Sequence, residues 1–538
     1  MITLEEIEKK VKTKEEQFSK RFDRMDKDYD LWNLKPRVFD SHKRYINVTT
    51  NAARTLVNKV QASLVAVPIQ IQVKVSNPLP TEDIKEQTNR LERLFRFALD
   101  KADLRLRRQA LPPLRDSVVW HLLVRGWGMV RTLVYREKEE VVFDLLPIDP
   151  RNVTFATDSQ GLSWINIRTY RSPESLENDY GYEIKTSKSQ LGIEVNEYWD
   201  DSINCVSVKW DEFLKKPKKY NLSRIPIVIV PVPIAPPVVS NSETLVEGYG
   251  EAIFAPNRLE YELNDRLLSL GTTHADLVAK QPLINYYRPG VGKELDEPTW
   301  VPGGSINVQM DANRLEPYPI KDIPQSLAIF ISQTQQRIQQ GGLAAVESGL
   351  YTPPASGTAL SILRETTDKT IGPYLRALTY LYSDICRLMH EQIIHGGYSV
   401  PVATIEGNDF YRYTIEPVEL LNDYFLKVNF AARTPWAELE NYQIAEMALR
   451  NGLVSKDTIR EDIIKVDDSK VEEVKVLMEK IIEQNPLINL YKSIETLVKL
   501  GRNQEAAILG QQLQQIIIQT QKALQVPPEQ GQSIQGGK

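Results

Sequence analysis

The sequence predicts an α+β chain, predominantly helical. Two patterns predict it. Through long segments, apolar residues recur three and four apart, as one face of a helix requires. Short blocks instead alternate apolar with polar, as in Ile69-Gln70-Ile71-Gln72-Val73-Lys74-Val75, which is the period of a strand. At 538 residues the chain has room for about three to four structural units.

The elements follow in order. Residues 1–40 balance ten basic against ten acidic residues, with Leu4, Ile7, Val11, Phe18, Phe22 and Met25 on one stripe. That predicts a charged helix docked on the body. Residues 47–66 read as a helix capped by Asn47 or Thr49 and stopped by Pro68, before the strand 69–75. Helices over 82–110 and 114–125 are divided by Pro112-Pro113. The turn Arg125-Gly126-Trp127-Gly128 leads into a hairpin of Met129–Arg136 and Glu140–Leu146, closed by Ile148–Asn152. Short β segments fill 163–232. A long helical pattern over 251–280 then places Leu259, Leu263, Leu267, Leu270 and Leu277 on one side. Residues 282–321 are rich in Pro and Gly, with short β-like runs such as Ser305–Val308. Residues 324–340 return to helix with uncharged outer positions, Gln333, Gln335, Gln336, Gln339 and Gln340. A small-residue loop, 341–357, precedes a helix over 358–395 that would span about 57 Å. Gly372-Pro373 should kink it, since proline cannot donate to the helix ladder. Residues 398–432 are β-like. From Pro435 to about 525 the pattern is helical, broken at Asn451-Gly452 and Asn485-Pro486, with Ser455 a cap for 456–465. The tail after Val526 is Pro, Gly and Gln, a composition of disordered chain.

Composition narrows the function. Lys+Arg is 66 and Asp+Glu 71, a formal charge of -5, which argues against a chain that grips nucleic acid over its whole surface. Two cysteines, Cys205 and Cys386, build no disulfide framework and point to a reducing compartment. No signal-type segment or stretch of 18 apolar residues is present, so a cytoplasmic protein without membrane contact is expected.

Fragments that suggest catalysis fail on spacing. His390 and His395 are five apart, about 140° around a helix, whereas a zincin pair is four apart. Gly290-Val291-Gly292-Lys293 has Tyr287 and Glu294 where a phosphate loop needs Gly and Ser/Thr. Gly126-Trp127-Gly128 lacks a third glycine and precedes a strand. No Gly-x-Ser-x-Gly occurs, and neither Cys has a Cys partner at metal-ligand spacing. The expectation is a protein that is not an enzyme and takes no cofactor or metal. A basic cluster, Arg93, Arg96, Lys101, Arg105, Arg107, Arg108, Arg115, Arg125 and Arg131, is interleaved with Leu, Phe and acidic residues. It reads as salt bridges to a partner subunit or a solvated face rather than a nucleic-acid surface.

The order of parts carries more than any motif. Ile46-Asn47-Val48 to Pro68-Ile69-Gln70-Ile71, Val124-Arg125-Gly126-Trp127-Gly128-Met129-Val130 and Pro147-Ile148-Asp149-Pro150-Arg151-Asn152-Val153 come first. Glu247-Gly248-Tyr249-Gly250, Ala355-Ser356-Gly357-Thr358-Ala359-Leu360 and Asn451-Gly452-Leu453-Val454-Ser455 follow in sequence. In this order they resemble the portal protein (head-to-tail connector) family of tailed bacteriophages, over most of residues 30–480.

The resemblance implies a portal-like fold: a wing at 1–244, a first stem helix at 245–281, a clip at 282–321 and a second stem helix at 322–340. A tunnel loop at 341–357, a kinked helix with wing β segments at 358–432, a helical crown at 433–525 and a disordered tail at 526–538 would follow. It implies a homo-oligomeric ring, usually of twelve subunits, at one capsid vertex of a virion, assembled in the host cytoplasm. Double-stranded DNA would be packaged and ejected through its channel. Further implied partners are the terminase large subunit, the major capsid and scaffolding proteins, and a neck or tail adaptor. Within that frame Gln333, Gln336, Arg337 and Gln340 are expected to line the channel. Glu347, Ser348, Tyr351 and Thr352 would stand in the tunnel loop, and Tyr286, Tyr287 and Trp300 in the clip's docking surface. Gly372 and Pro373 would mark the helix kink. The competing readings are another non-enzymatic virion assembly or scaffold protein, and a soluble enzyme. A coiled coil would show sustained heptads, which this sequence lacks.

Overall fold

The computed structural model describes residues 3–39, 45–75, 82–182, 192–236, 249–293, 304–311, 313–320, 325–342, 357–406, 409–420, 423–430 and 435–464. Beyond these it describes 472–473, 476–480, 490–491, 494, 507–514 and 516. The chain divides into two compact units, Met1–Ala432 and Arg433–Lys538. The first is a mixed α+β body, as the sequence patterns require.

Helix α1 (Leu4–Trp32) opens on a capping box in which Thr3 and Glu6 satisfy each other's backbone N–H. The expected stripe is its buried face: Ile7, Val11, Phe18, Phe22 and Met25. Helix α2 (Ala52–Ala66) starts later than expected. Its N-cap is Asn51, whose side chain makes no capping bond. Asn47 and Thr49 do not cap it: their side-chain oxygens accept from Phe39 and Arg37 N–H, and the N–H groups of Ile46, Val48 and Thr50 go to another element. Strand β1 (Ile69–Lys74) follows, then α3 (Glu82–Arg108) and α4 (Leu114–Arg125). Gly126 ends α4 in the left-handed region at φ 76°, and a Cβ there would lie 2.0 Å from the carbonyl oxygen of Gly250. No other residue fits that turn.

The hairpin is longer than its sequence signal: β2 (Trp127–Glu137) and β3 (Glu140–Pro147) pair antiparallel from Val130↔Pro147 to Glu137↔Glu140. A five-stranded antiparallel meander follows: β4 (Val153–Thr157), β5 (Leu162–Arg171), β6 (Ile193–Asp200), β7 (Ile203–Val208) and β8 (Glu212–Lys219). The short helix α5 (Pro173–Tyr180) lies between β5 and β6. Strand β9 (Ile227–Pro231) joins β2 to complete a β3-β2-β9 sheet. Helix α1 lies over the meander: Phe18, Phe22 and Met25 share a core with Val153, Ile165, Ile167 and Trp199, and Ile7 and Val11 pack with Trp164 and Tyr198.

Helix α6 (Arg258–Ala279) and helix α7 (Gln325–Gln340) bracket a three-stranded sheet of β10 (Leu283–Tyr287), β11 (Ser305–Gln309) and β12 (Arg314–Pro317). Strand β10 is central, parallel to β11 and antiparallel to β12. Helix α8 (Gly357–Gly396) spans 40 residues and continues through Gly372 and Pro373. A Cβ on Gly372 would meet nothing within 4 Å. From Ile371 onward α8 is the central rod of the main core, burying Tyr374, Leu378, Leu381, Tyr382, Ile385 and Met389. Strands β13 (Val400–Glu406) and β14 (Asp409–Ile415) pair with each other, and β15 (Phe425–Phe430) returns to pair with β1, from Ile69↔Phe430 to Lys74↔Phe425.

One buried amide ties α8 to the sheet. Gln392 is 2% exposed, accepts from Val134 N–H at 2.7 Å and donates to Thr132 carbonyl at 2.8 Å. Its side chain completes the β2 edge as a strand would. Gln392→Leu should cost about 2–4 kcal/mol, because it strands two buried backbone groups at once; urea unfolding of the two proteins measures it.

In the second unit, α9 (Pro435–Arg450) is followed by one turn at Lys456–Thr458 and a π-helical segment, Ile459–Ile463. Ser455 caps as expected, its Oγ accepting from Thr458 N–H at 3.1 Å. The regular helix expected over 456–465 is thus replaced by wider winding after its first turn. The expected tail after 526 lies outside the described residues. Among the described residues no helix is long and apolar enough to cross a membrane.

Candidate functional site

Helix α6 is amphipathic in an inverted sense. Its buried residues are Tyr261, Asn264, Asp265, Ser269 and Thr273, while none of Leu259, Leu263, Leu267, Leu270 and Leu277 is buried. Leu259 is 80% exposed. The polar face has a specific occupant, the extended segment before α2. Thr273 Oγ1 accepts from Ile46 N–H at 2.8 Å, Ser269 Oγ from Val48 N–H at 2.8 Å, and Asp265 Oδ1 from Thr50 N–H at 3.0 Å and from Thr50 Oγ1 at 2.7 Å. The two repeats match. Four helical residues rise about 6.0 Å and two extended residues about 6.6 Å. Both hydroxyls also donate back, Ser269 to Asp265 carbonyl and Thr273 to Ser269 carbonyl, each at 2.7 Å. These bonds fix the rotation of α6 and leave Leu259 and Leu263 exposed, with Leu267, Leu270 and Leu277 half-buried.

The base of α6 is held by charge. Arg258 Nε meets Asp28 Oδ1 at 2.7 Å and its Nη2 meets Glu251 Oε2 at 2.6 Å, while Arg24 Nη1 meets Glu251 Oε1 at 2.7 Å. Burial raises the Asp28 carboxyl above its usual range, against the hydrogen bond and charge of Arg258. Burial also opposes the Arg258 charge, but the hydrogen bonds and charge of Asp28 and Glu251 outweigh it and raise its pKa. The network joins α1, the Gly250–Phe254 approach and α6.

Helix α7 runs back along α6. Glu260 pairs with Arg337 at 3.4 Å, Asn257 Nδ2 donates to Ile338 carbonyl at 2.9 Å, and Gly271 faces Leu327 and Ile331. A Cβ on Gly341 would lie 2.2 Å from Asn257 Oδ1, so a larger residue there would displace the amide that holds the Ile338 carbonyl. Only Thr334 is buried on α7; Ile329 is 49% and Phe330 56% exposed. Apart from Tyr261 and Ile338 at its base, none of the described residues of the hairpin belongs to the four buried clusters.

The expected site residues fall as follows. Gln333, Gln336, Arg337 and Gln340 are all exposed on α7, and Arg337 already holds Glu260. Tyr286 is half-buried with the Arg314 guanidinium 4.7 Å from its ring centroid. Tyr287 is 7% exposed and its hydroxyl accepts from Gln309 at 3.0 Å, so it serves the packing of its own sheet rather than an outer surface. Trp300 and the loop residues Glu347, Ser348, Tyr351 and Thr352 lie outside the described residues. His390 is buried between Phe95 and Tyr424 and His395 is exposed, so the two imidazoles do not converge. Among the described residues, no three or more His, Cys, Asp or Glu are grouped to hold a metal. Part of the basic cluster is spent inside the chain, while Lys101, Arg107 and Arg108 are exposed. Arg131 pairs with Asp144 and Glu197, Arg105 with Asp144, Arg125 with Asp149, and Arg115 donates to Val65 carbonyl.

The Asp265-Ser269-Thr273 ladder and the Asp28–Arg258 joint were missed in the sequence. The ladder had a signal, three short polar side chains four apart.

No protein-family model matches the chain, and no curated protein matches it. Among solved structures, a chain of the virion of a native gene transfer agent particle matches at 9% identity and a TM-score of 0.39, covering 76% of this chain and 88% of that one. That likeness carries no function across to this chain.

Proposed function

We propose that the protein is a portal-type ring subunit: a non-enzymatic virion component whose copies close around a channel for double-stranded DNA. One observation supports this most. Helix α6 buries its polar face and leaves Leu259 and Leu263 open, with Leu267, Leu270 and Leu277 half-buried, an arrangement that suits a helix part of whose apolar side belongs to another subunit. In a ring the partner is the next copy, met by a heterologous contact that closes on itself. The α6–sheet–α7 hairpin is the stem and clip of this reading, and α8 the long helix behind the tunnel loop. The terminase, capsid, scaffolding and neck proteins are the partners it would then serve.

The exposed face of α7 suits a channel wall. Gln333, Gln336 and Gln340 are neutral hydrogen-bonding groups, and Arg337 is offset by Glu260. DNA sliding past such a wall forms few phosphate–cation contacts, each of which must be broken for movement. Replacing Gln333 and Gln336 by Lys repeats two new charges around the whole ring. Packaging measured in an assembly assay should slow about tenfold or more at low salt and recover as salt rises. Unchanged packaging would remove α7 from the channel wall.

A further inference from the structure

We propose that Lys14 and Arg21 form an anion site on α1 that receives a carboxylate from a protein partner. The two residues are seven apart, hence on one face two turns from each other. Both approach the ring of Phe18 between them, the Arg21 guanidinium at 3.6 Å and the Lys14 ammonium at 5.2 Å from its centroid. Arg21 is 5% exposed, and Phe22, Trp127 and Phe155 stand 5.1–5.4 Å from its guanidinium. Its Nε and Nη2 are buried without a hydrogen-bond partner, and so is the indole Nε1 of Trp127 beside it.

Five other arginines of the body give a contrast. Arg24, Arg125, Arg131, Arg151 and Arg258 each hold a carboxylate within 3.0 Å. Arg21 holds none among the described residues. Aromatic faces attract its charge but cannot accept its in-plane N–H groups. Burial, with Arg24 second, lowers the Arg21 pKa to about 9, and burial with Arg21 lowers that of Lys14. The ligand is a side-chain carboxylate rather than a duplex phosphate, because Arg21 Nε and Nη2 are buried, so the ligand must part the packing around them, which a short flexible acid can do and a stiff strand cannot. This assignment does not rest on the ring.

The test is thermal melting of the full-length chain at fixed ionic strength, with chloride exchanged for acetate as the probe. The wild type should be stabilised saturably by acetate. Arg21→Met should melt about 1–2 °C higher than the wild type in chloride, since it removes an unpaired buried charge, and should lose the acetate response. Lys14→Met, at a half-buried position, should fold normally and weaken the acetate midpoint several-fold. Acetate acting equally on wild type and variants is a general salt effect, and it overturns the proposal. So does an unresponsive wild type, or an Arg21→Met protein that folds and keeps the wild-type acetate response. Should Arg21→Met fail to fold, an unchanged acetate midpoint in Lys14→Met overturns it alone.

Discussion

Glutamate at positions 259 and 263 should leave a folded monomer that no longer assembles. Leu259 is 80% and Leu263 40% exposed in the single chain, so the double substitution removes little burial there. Its cost to the isolated chain should be within about 1 kcal/mol, the usual range for two surface changes. In an assembly that covers this face, the same carboxylates would be desolvated against apolar side chains. That penalty is several kcal/mol per contact and recurs at every contact of a closed ring. Melting and circular dichroism should therefore match the wild type, while light scattering shows only the protomer mass. Normal assembly by the double variant would mean that the α6 leucines face solvent in the mature particle.

The second large effect is on stability. Arg258→Met should destabilise the first unit by about 3–5 kcal/mol, because it leaves Asp28 and Glu251 buried with one cation between them instead of two. The side chains of Asp28 and Glu251 are 2% and 12% exposed, so water cannot replace the lost partner. The double variant Asp28→Asn with Arg258→Met should recover much of that loss, a coupling that a double-mutant cycle in urea reads directly. Arg24 would still hold Glu251 at 2.7 Å. A loss below about 1 kcal/mol in the single variant would show that the joint contributes register but little stability.

Where one periodicity dominated, the sequence was easily read. The α1 stripe, the β1 strand and the β2–β3 hairpin follow from local pattern; α1 buries the stripe from Ile7 to Met25, whereas β1 buries the polar Gln70 together with Ile71 and Val73 and leaves Ile69 half-buried. Tertiary competition explains the misses. Asn47 and Thr49 have capping side chains, but these accept from Phe39 and Arg37 N–H, and the N–H groups of Ile46, Val48 and Thr50 are taken by α6, so the helix starts at Ala52. The basic cluster was half legible: its interleaved acids promised ion pairs, but Asp144, Asp149 and Glu197 come from strands and turns brought near only by folding. The α6 leucines were legible as a stripe. That the opposite, polar side is the buried one depends on a segment more than 200 residues earlier, beyond any window of periodicity. Tyr286 and Tyr287 show the same limit at one-residue scale. Both suit an interface by type, and only the pairing of β10 decides which turns inward.

The most direct measurement of the central proposal is the mass of the purified full-length protein by light scattering after size exclusion, with negative-stain images of the same peak. The ring reading predicts annular particles with a central hole, near twelve times the 61.5 kDa protomer. A protein that remains a protomer at high concentration and with capsid and scaffolding proteins present would contradict it.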